Sequence, residues 1–456
     1  MEKKVILFGE TYSFQSLKEI LAKANEERSG DELAGVAADS MKERMAAKIV
    51  LADLTLGEIY ENPLLLPEED EVSELIEQSL HKERLHAVKG WTVSDLREYL
   101  LSDEQTGSDL VETGKGLTSE MIAAAAKLMS NLDLIQAASK ITVLTTCRTE
   151  IGQPGVLASR VQPNHPSDNL KGMRASLYEG LSYGIGDAVI GINPVIDTTS
   201  NIDSLMRETK AVIDEWSIPA QNCVLSHITS QMRAVENGAP ADMLFQSLAG
   251  TQAGNESFGI STAMLREASE LIQEKGTAPG PNRWYFETGQ GSELSAEAHA
   301  GIDQVTLESR CYGMARVFNP FIVNTVVGFI GPEYLFDSKQ VIRAGLEDHF
   351  MGKMHGLPMG VDVCYTNHMN VDQNDMDTLS TVLTSAGVTF VIGVPMADDC
   401  MLNYQSLSYH DIATQRSIFN KRPAPDFEKW LERRGLMENG NLTKTSGDAG
   451  VFLHRV

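Results

Sequence analysis

From about residue 155 onward, short apolar runs alternate with amphipathic helical patterns, and the alternation occurs eight times. The runs fall at 156–162, 187–193, 222–227, 243–247, 283–288, 321–328, 360–365 and 388–395. Helical patterns lie between most of them, among them Ile202 to Trp216, Ser261 to Lys275, Ser338 to His355 and Asp372 to Ser385. Strands that alternate with helices imply βαβ units and a parallel sheet. Eight such units in about 250 residues fit an α/β fold of the (β/α)8 TIM barrel type. An open doubly wound sheet shares this periodicity, so the run ends must decide. Arg160 and Gln162, Asn193, His227, Gln246, Glu287, Phe329 and Asp362 mostly stand at or near the C-terminal ends of successive runs. A barrel gathers those ends at one mouth, whereas an open sheet strings them along an edge.

The 456 residues leave room for additions around one large core. Residues 1–150 read as mainly helical. Leu17 starts an i, i+3, i+4, i+7 pattern, and Met41 to Leu51 and Val72 to Leu80 show similar ones. Thr118-Ser119-Glu120 caps a further helix that begins at Met121. The barrel takes 151–410. The charged, helical and then turn-rich segment 411–456 reads as an extension packed on it.

Lys and Arg total 38 against 63 Asp and Glu, a net charge of −25. Such a surface repels phosphate backbones and speaks against nucleic acid as a partner. The apolar run Val5 to Phe8 is too short for a signal-peptide core, and no stretch approaches the ~18 apolar residues of a membrane span. Five widely spaced cysteines without a CxxC suit reduced cytoplasmic thiols, most of them in the core. The chain has neither a dinucleotide fingerprint after a strand nor a P-loop, nor zinc spacings such as HExxH. Glu347-Asp348-His349-Phe350-Met351-Gly352 is faintly similar to the DxHxxG signature of proteins that bind cobalamin through a histidine. Glu stands where Asp is required, and the segment lies in a helical pattern, so His349 reads as a helix-surface residue.

The chemistry concentrates at the run ends. Tyr285-Phe286-Glu287-Thr288-Gly289-Gln290-Gly291-Ser292 climbs to a carboxylate and opens into a glycine-rich turn, as an active-site edge of a barrel does. Each polar residue alone has a structural explanation: an Arg–carboxylate pair, a turn at Asn193-Pro194, or amides that satisfy backbone groups. Together, two acids, one arginine and three amides make a small polar pocket. It holds no nucleophile–base pair and no protein metal-ligand cluster. It is suited to gripping a small cationic substrate, with harder chemistry left to a cofactor. His227 and His368 are acid–base candidates, although a satisfied core histidine is the commoner role for either.

Glu287 to Ser292, Phe321 to Leu335, Ala344 to Lys353 and Tyr365 to His368 resemble the large subunit of ethanolamine ammonia-lyase, and the similarity runs along essentially the whole chain. The resemblance implies a barrel with adenosylcobalamin over its C-terminal mouth, shared with a small subunit, that converts ethanolamine to acetaldehyde and ammonia. Cobalt–carbon homolysis would give a 5′-deoxyadenosyl radical. That radical would take hydrogen from the hydroxyl-bearing carbon, and the amino group would migrate there before ammonia leaves. Arg160, Gln162, Asn193, Glu287 and Asp362 match the family's substrate-binding pattern, with Phe329 lining the pocket. Glu287, Arg160 and Asp362 are the implied catalytic residues. Pro194, Gln246, Ser295 and Met401 match its cobalamin contacts. Ile392 stands where the best-known members of the family are expected to have Met, a change that bears on pocket shape and on the choice among small 2-amino alcohols. The resemblance also implies self-association of large subunits, and it allows a reactivating factor and enclosure in a bacterial microcompartment.

Two other functions fit parts of the sequence. A cobalamin-independent barrel lyase or aldolase would use the carboxylates as metal ligands, but no histidine–acid cluster has a recognised spacing. A non-catalytic assembly subunit would have little reason to concentrate polar residues at the strand ends.

Overall fold

The computed structural model describes residues 1–453. Eight strands form its centre: β1 (Ala158–Val161), β2 (Val189–Ile192), β3 (Asn222–Val224), β4 (Leu244–Ser247), β5 (Trp284–Thr288), β6 (Ile322–Val326), β7 (Met359–Asp362) and β8 (Phe390–Val394). Each coincides with one of the eight apolar runs to within a few residues. Neighbours are parallel throughout, in the order β3-β2-β1-β8-β7-β6-β5-β4. The first strand pairs with the last, so the sheet curls into the TIM-type barrel that the run ends favoured over an open sheet.

Among the described residues, no backbone ladder joins β3 to β4. Side chains bridge this seam instead. Gln231, on the helix Ile228–Glu236, accepts from the Phe245 amide at 3.0 Å and donates to the Phe245 carbonyl at 2.8 Å and the Ser226 carbonyl at 2.6 Å. At the other end of the seam, the amides of Asn222 and Asp242 each donate to the other residue's side chain, at 3.1 and 2.9 Å. Both devices satisfy buried strand-edge groups that would otherwise go unpaired.

The chain begins with an antiparallel hairpin, Lys3–Leu7 with Glu10–Phe14. Its two-residue turn has Phe8 and Gly9 at φ 52° and 80°, the doubly left-handed turn that matches strand twist. Helices follow, in accord with the mainly helical reading. One of them, α1 (Ser119–Leu128), packs on α2 (Gln304–Ala315) and α3 (Ser338–Met354), which lie against β5, β6 and β7. Cover on both sides buries all of α2 and nearly all of α3. His349 is therefore fully buried, which corrects the surface position expected from its helical pattern. The periodicity was that of a helix, but a helix between two layers has no solvent face.

Several charged side chains in this layer are paired, whereas neither ring nitrogen of His349 has a hydrogen-bond partner among the described residues. Arg310 reaches Asp70 at 2.7 Å, Glu120 at 2.5 Å and the Gly250 carbonyl at 2.8 Å. Glu347 lies between Arg28 and Arg343, at 2.5 and 2.6 Å. At the C-terminal end, Arg416 donates to the Leu157 carbonyl at 2.8 Å and to Asp187 at 2.9 Å. One continuous apolar core runs from Phe14 to Phe452.

Gln231→Ala should leave the Phe245 amide and carbonyl unpaired, at a cost of about 2–4 kcal/mol in unfolding free energy. Denaturant melts check this; an unchanged midpoint would mean that other groups hold the seam.

Candidate active site

The strand ends converge on a cavity of about 60 Å³ at the barrel mouth. Arg160, Gln162, Asn193, Glu287, Phe329 and Asp362 all line it, joined by Val326, Leu402 and Tyr404. All six residues of the expected substrate set are thus brought together.

Local strand geometry explains the placement. Tyr285 and Glu287 are two residues apart on β5, so they share the inner face. Trp284 and Phe286 take the other face, stacked at 4.8 Å. Arg160 lies across β2 at Gly191, where a Cβ would stand 2.5 Å from the arginine Nε. Its Nη1 donates to the Tyr285 hydroxyl at 2.9 Å, and its Nη2 to Asn193 Oδ1 at 2.5 Å. Glu287 Oε2 is 3.9 Å from Nη1 and accepts from Asn324 at 3.2 Å. Asp362 accepts from the hydroxyls of Tyr404 at 2.8 Å and Ser406 at 2.6 Å.

Two acids here face one guanidinium. Burial raises the Glu287 pKa to about 7; Asp362 pushes it in the same direction and Arg160 opposes. Burial likewise raises Asp362 to about 6, against the hydrogen bonds from Ser406 and Tyr404. A cation entering the cavity favours the ionised form of both. Glu287 keeps 18% of its side chain exposed, enough to meet a ligand.

A second cavity of about 460 Å³ adjoins the first and shares Glu287, Val326 and Phe329 with it. Pro194, His227 and Gln246 line it. The Gln246 amide accepts from Ile228 and donates to the Ser247 carbonyl, both at 3.1 Å, which leaves one N–H for a ligand. His227 has both ring nitrogens engaged, with Thr229 at 2.8 Å and the Phe258 carbonyl at 2.9 Å. Ser295, exposed on the short helix Ser292–Ser295, lines neither cavity, and neither does the half-buried Met401. His368 is exposed on the segment after β7. Ile392 is buried on β8, in register with Arg160. The glycine-rich turn after Glu287 is anchored: Gln290 donates to Asp348 at 2.7 Å and Ser292 to the Gly289 carbonyl at 2.7 Å.

Sequence reasoning missed Tyr285, Asn164, Asp399, Tyr404 and Ser406. Tyr285 was within reach, because it precedes Glu287 by one strand period. The other four stand on loops after β1 and β8, where no local pattern marks an inward residue.

The fold and site together define a TIM-barrel protein with a small polar cavity at its mouth, where two carboxyls face one guanidinium. The family model described as "Ethanolamine ammonia lyase large subunit (EutB)" matches residues 12–445, and the chain belongs to that family. Among curated relatives, the ethanolamine ammonia-lyase large subunit of Escherichia coli K12 is 52% identical over 99% of this chain and 100% of that protein. The one from Salmonella typhimurium LT2 is 51% identical over the same shares. Among the described residues, no helix is long and apolar enough to cross a membrane.

The raised carboxylates predict a pH dependence. A primary ammonium stays charged below roughly pH 9, so its affinity should fall as pH drops through about 7 and then 6, when Glu287 and Asp362 protonate. Titration calorimetry at several pH values checks this; flat affinity from pH 8 to 5 would contradict it. Stability should run the opposite way. A carboxyl whose folded pKa lies above its unfolded one penalises the fold as pH rises from that unfolded pKa, and the penalty is complete above the folded one. Glu287→Gln should therefore melt higher than the wild type at pH 8, with the gap closing toward pH 4.5.

Proposed function

We propose that this chain is the catalytic large subunit of an adenosylcobalamin-dependent ethanolamine ammonia-lyase, which converts ethanolamine to acetaldehyde and ammonia by radical migration of the amino group. The observation that carries the reading is the small cavity, where Glu287 and Asp362 stand opposite Arg160, opening at Glu287 and Phe329 into a larger one.

The larger cavity has features that suit the nucleoside end of the cofactor. Phe245, Phe258 and Leu225 supply apolar walls, and the hydroxyl of Ser226 is buried there without a partner among the described residues. Pro194 and Gln246 would hold the cofactor in this space, with Ser295 and Met401 reached from outside it. When bound, adenosylcobalamin supplies the radical that removes hydrogen from the hydroxyl-bearing carbon of the substrate.

The protein's own groups bind and orient the substrate. Glu287 accepts from the substrate hydroxyl and from its ammonium. Asp362 adds negative charge at the ammonium, with Gln162 and Asn193 as neutral partners. Arg160 donates to the substrate oxygen, where charge changes as the amino group migrates. Phe329, packed edge-on against Tyr404 at 5.4 Å, lines both cavities. The relatives' name as large subunits supports a small subunit as partner. Self-association of large subunits, a reactivating factor and residence in a cytoplasmic microcompartment belong to the same reading.

Purified chain, assembled with its small subunit and adenosylcobalamin, should release acetaldehyde from ethanolamine in a coupled alcohol dehydrogenase assay. Glu287→Gln and Asp362→Ala should each lower turnover by on the order of 100-fold or more, since each removes a charge that acts on the reacting groups. An assembled wild type that yields no acetaldehyde would overturn the assignment.

A further inference from the structure

Gln162 lines the small cavity beside Glu287 and Asp362. A glutamine can present either its amide hydrogens or its carbonyl oxygen to a ligand, and only the former repels a cation. Here the choice is made by two neighbours, Asp399 behind the cavity wall and Tyr404 in it. Nε2 of Gln162 donates to Asp399 Oδ2 at 2.6 Å and to the Tyr404 hydroxyl at 3.0 Å. Both amide hydrogens are thereby spent, and Oε1 is the group left for the cavity. The reverse orientation would set the glutamine oxygen against a carboxylate oxygen.

Asp399 is itself fixed. It is 1% exposed, and besides Gln162 it accepts from Asn164 at 2.9 Å and from the amides of Met401 and Leu402 at 2.9 and 2.7 Å. Its loop folds back as a small hairpin, Asp398–Asp399 with Tyr404–Gln405. Gln405 is tied to Tyr365, beyond β7, by two backbone bonds of 2.9 Å. Tyr404 gives its own hydrogen to Asp362 at 2.8 Å, so it can only accept from Gln162.

We propose that Asp399 and Tyr404 are positioning residues that lock the Gln162 amide with its oxygen toward the cavity, so that Gln162, Glu287 and Asp362 present acceptors to the three N–H bonds of a primary ammonium. The inference rests on the reading of the cavity as an ammonium site. It adds a specificity device in the loop after β8.

The test is calorimetric binding of ethanolamine to the complex of large and small subunits without cobalamin, so that turnover plays no part. Asp399→Asn offers Gln162 an amide in place of an acceptor and lets it turn over. Affinity for ethanolamine should fall about 10-fold or more, the scale of a hydrogen bond to a charged group. Ethylene glycol, which has no ammonium, should lose none of its affinity. Gln162→Glu distinguishes positioning from mere structure, because a carboxylate accepts on both sides. It should impair binding in the wild type, where it meets Asp399, and restore binding in the Asp399→Asn background. Tyr404→Phe removes the other partner of the amide and should also weaken ethanolamine binding. Unchanged affinity in either single variant at position 399 or 404, or no restoration in the double variant, would overturn the proposal. A wild type that binds ethanolamine but releases no acetaldehyde in the holoenzyme assay would count against the lyase reading alone.

Discussion

Arg160 is the constraint around which the barrel mouth is arranged. A guanidinium that is 1% exposed must be satisfied by the protein, because water cannot reach it. Tyr285, Asn193 and the Gly191 carbonyl take three of its five hydrogens, Nε has no partner among the described residues, and Glu287 stands 3.9 Å away. The distance to Glu287 matters. A tight bidentate pair would spend the carboxylate on the arginine and leave nothing for a ligand. At 3.9 Å, Arg160 lowers the cost of the charge on Glu287 while the oxygens stay available. The small residue at 191 is part of the same arrangement, since any side chain there would push the guanidinium off its line.

A second set of buried charges holds the scaffold. α2 and α3 lie between the barrel and the N-terminal helices, and Arg310, Arg28 and Lys127 tie the layers together through Asp70, Glu120, Glu347 and Asp303, while Arg343 of α3 donates to the Ala126 carbonyl of α1 at 2.9 Å. Breaking one member of such a pair leaves its partner charged and dry, which costs far more than the intact pair contributes. These layers sit directly behind the active strand. Thr288, next to Glu287, bonds to Glu308 of α2, and Thr325 on β6 bonds to Asp348 of α3 at 2.9 Å. Rigid support of this kind is what keeps a polar mouth in one geometry when no ligand is present.

The barrel was legible because each strand is a short apolar run between helical patterns, and strands covered on both faces carry that signature undiluted. The cavity lining was legible because barrel strands deliver their last inward residues to one place, and Arg160, Glu287 and Asp362 are polar exceptions in otherwise apolar runs. The residues of the loop after β8 were not. The loop folds back, so that Tyr404 lines the cavity and Asp399 meets the Gln162 amide behind it, and their partners, Asp362 and Gln162, are 42 and 237 residues away in sequence. No local periodicity encodes such a return. His349 failed for the opposite reason: its pattern was correctly that of a helix, but burial depends on what covers the helix, which lies in distant sequence.

Hydrogen-bond polarity gives the mouth its direction. Arg160 and Asn193 are coupled to each other at one side, so the donor of the site lies on the arms of β1 and β2. Asp362, Glu287 and Gln162 supply the acceptors of the remaining wall, beside the apolar Val326, Phe329 and Leu402. A molecule with a hydroxyl at one end and an ammonium at the other matches that polarity in a single orientation. In the empty site, burial keeps the carboxyls close to protonation, so the fold carries an electrostatic burden that a bound cation relieves. A neutral isostere fills the same volume without that relief. Discrimination by charge therefore draws on the cost of the empty site as well as on contacts with the ligand.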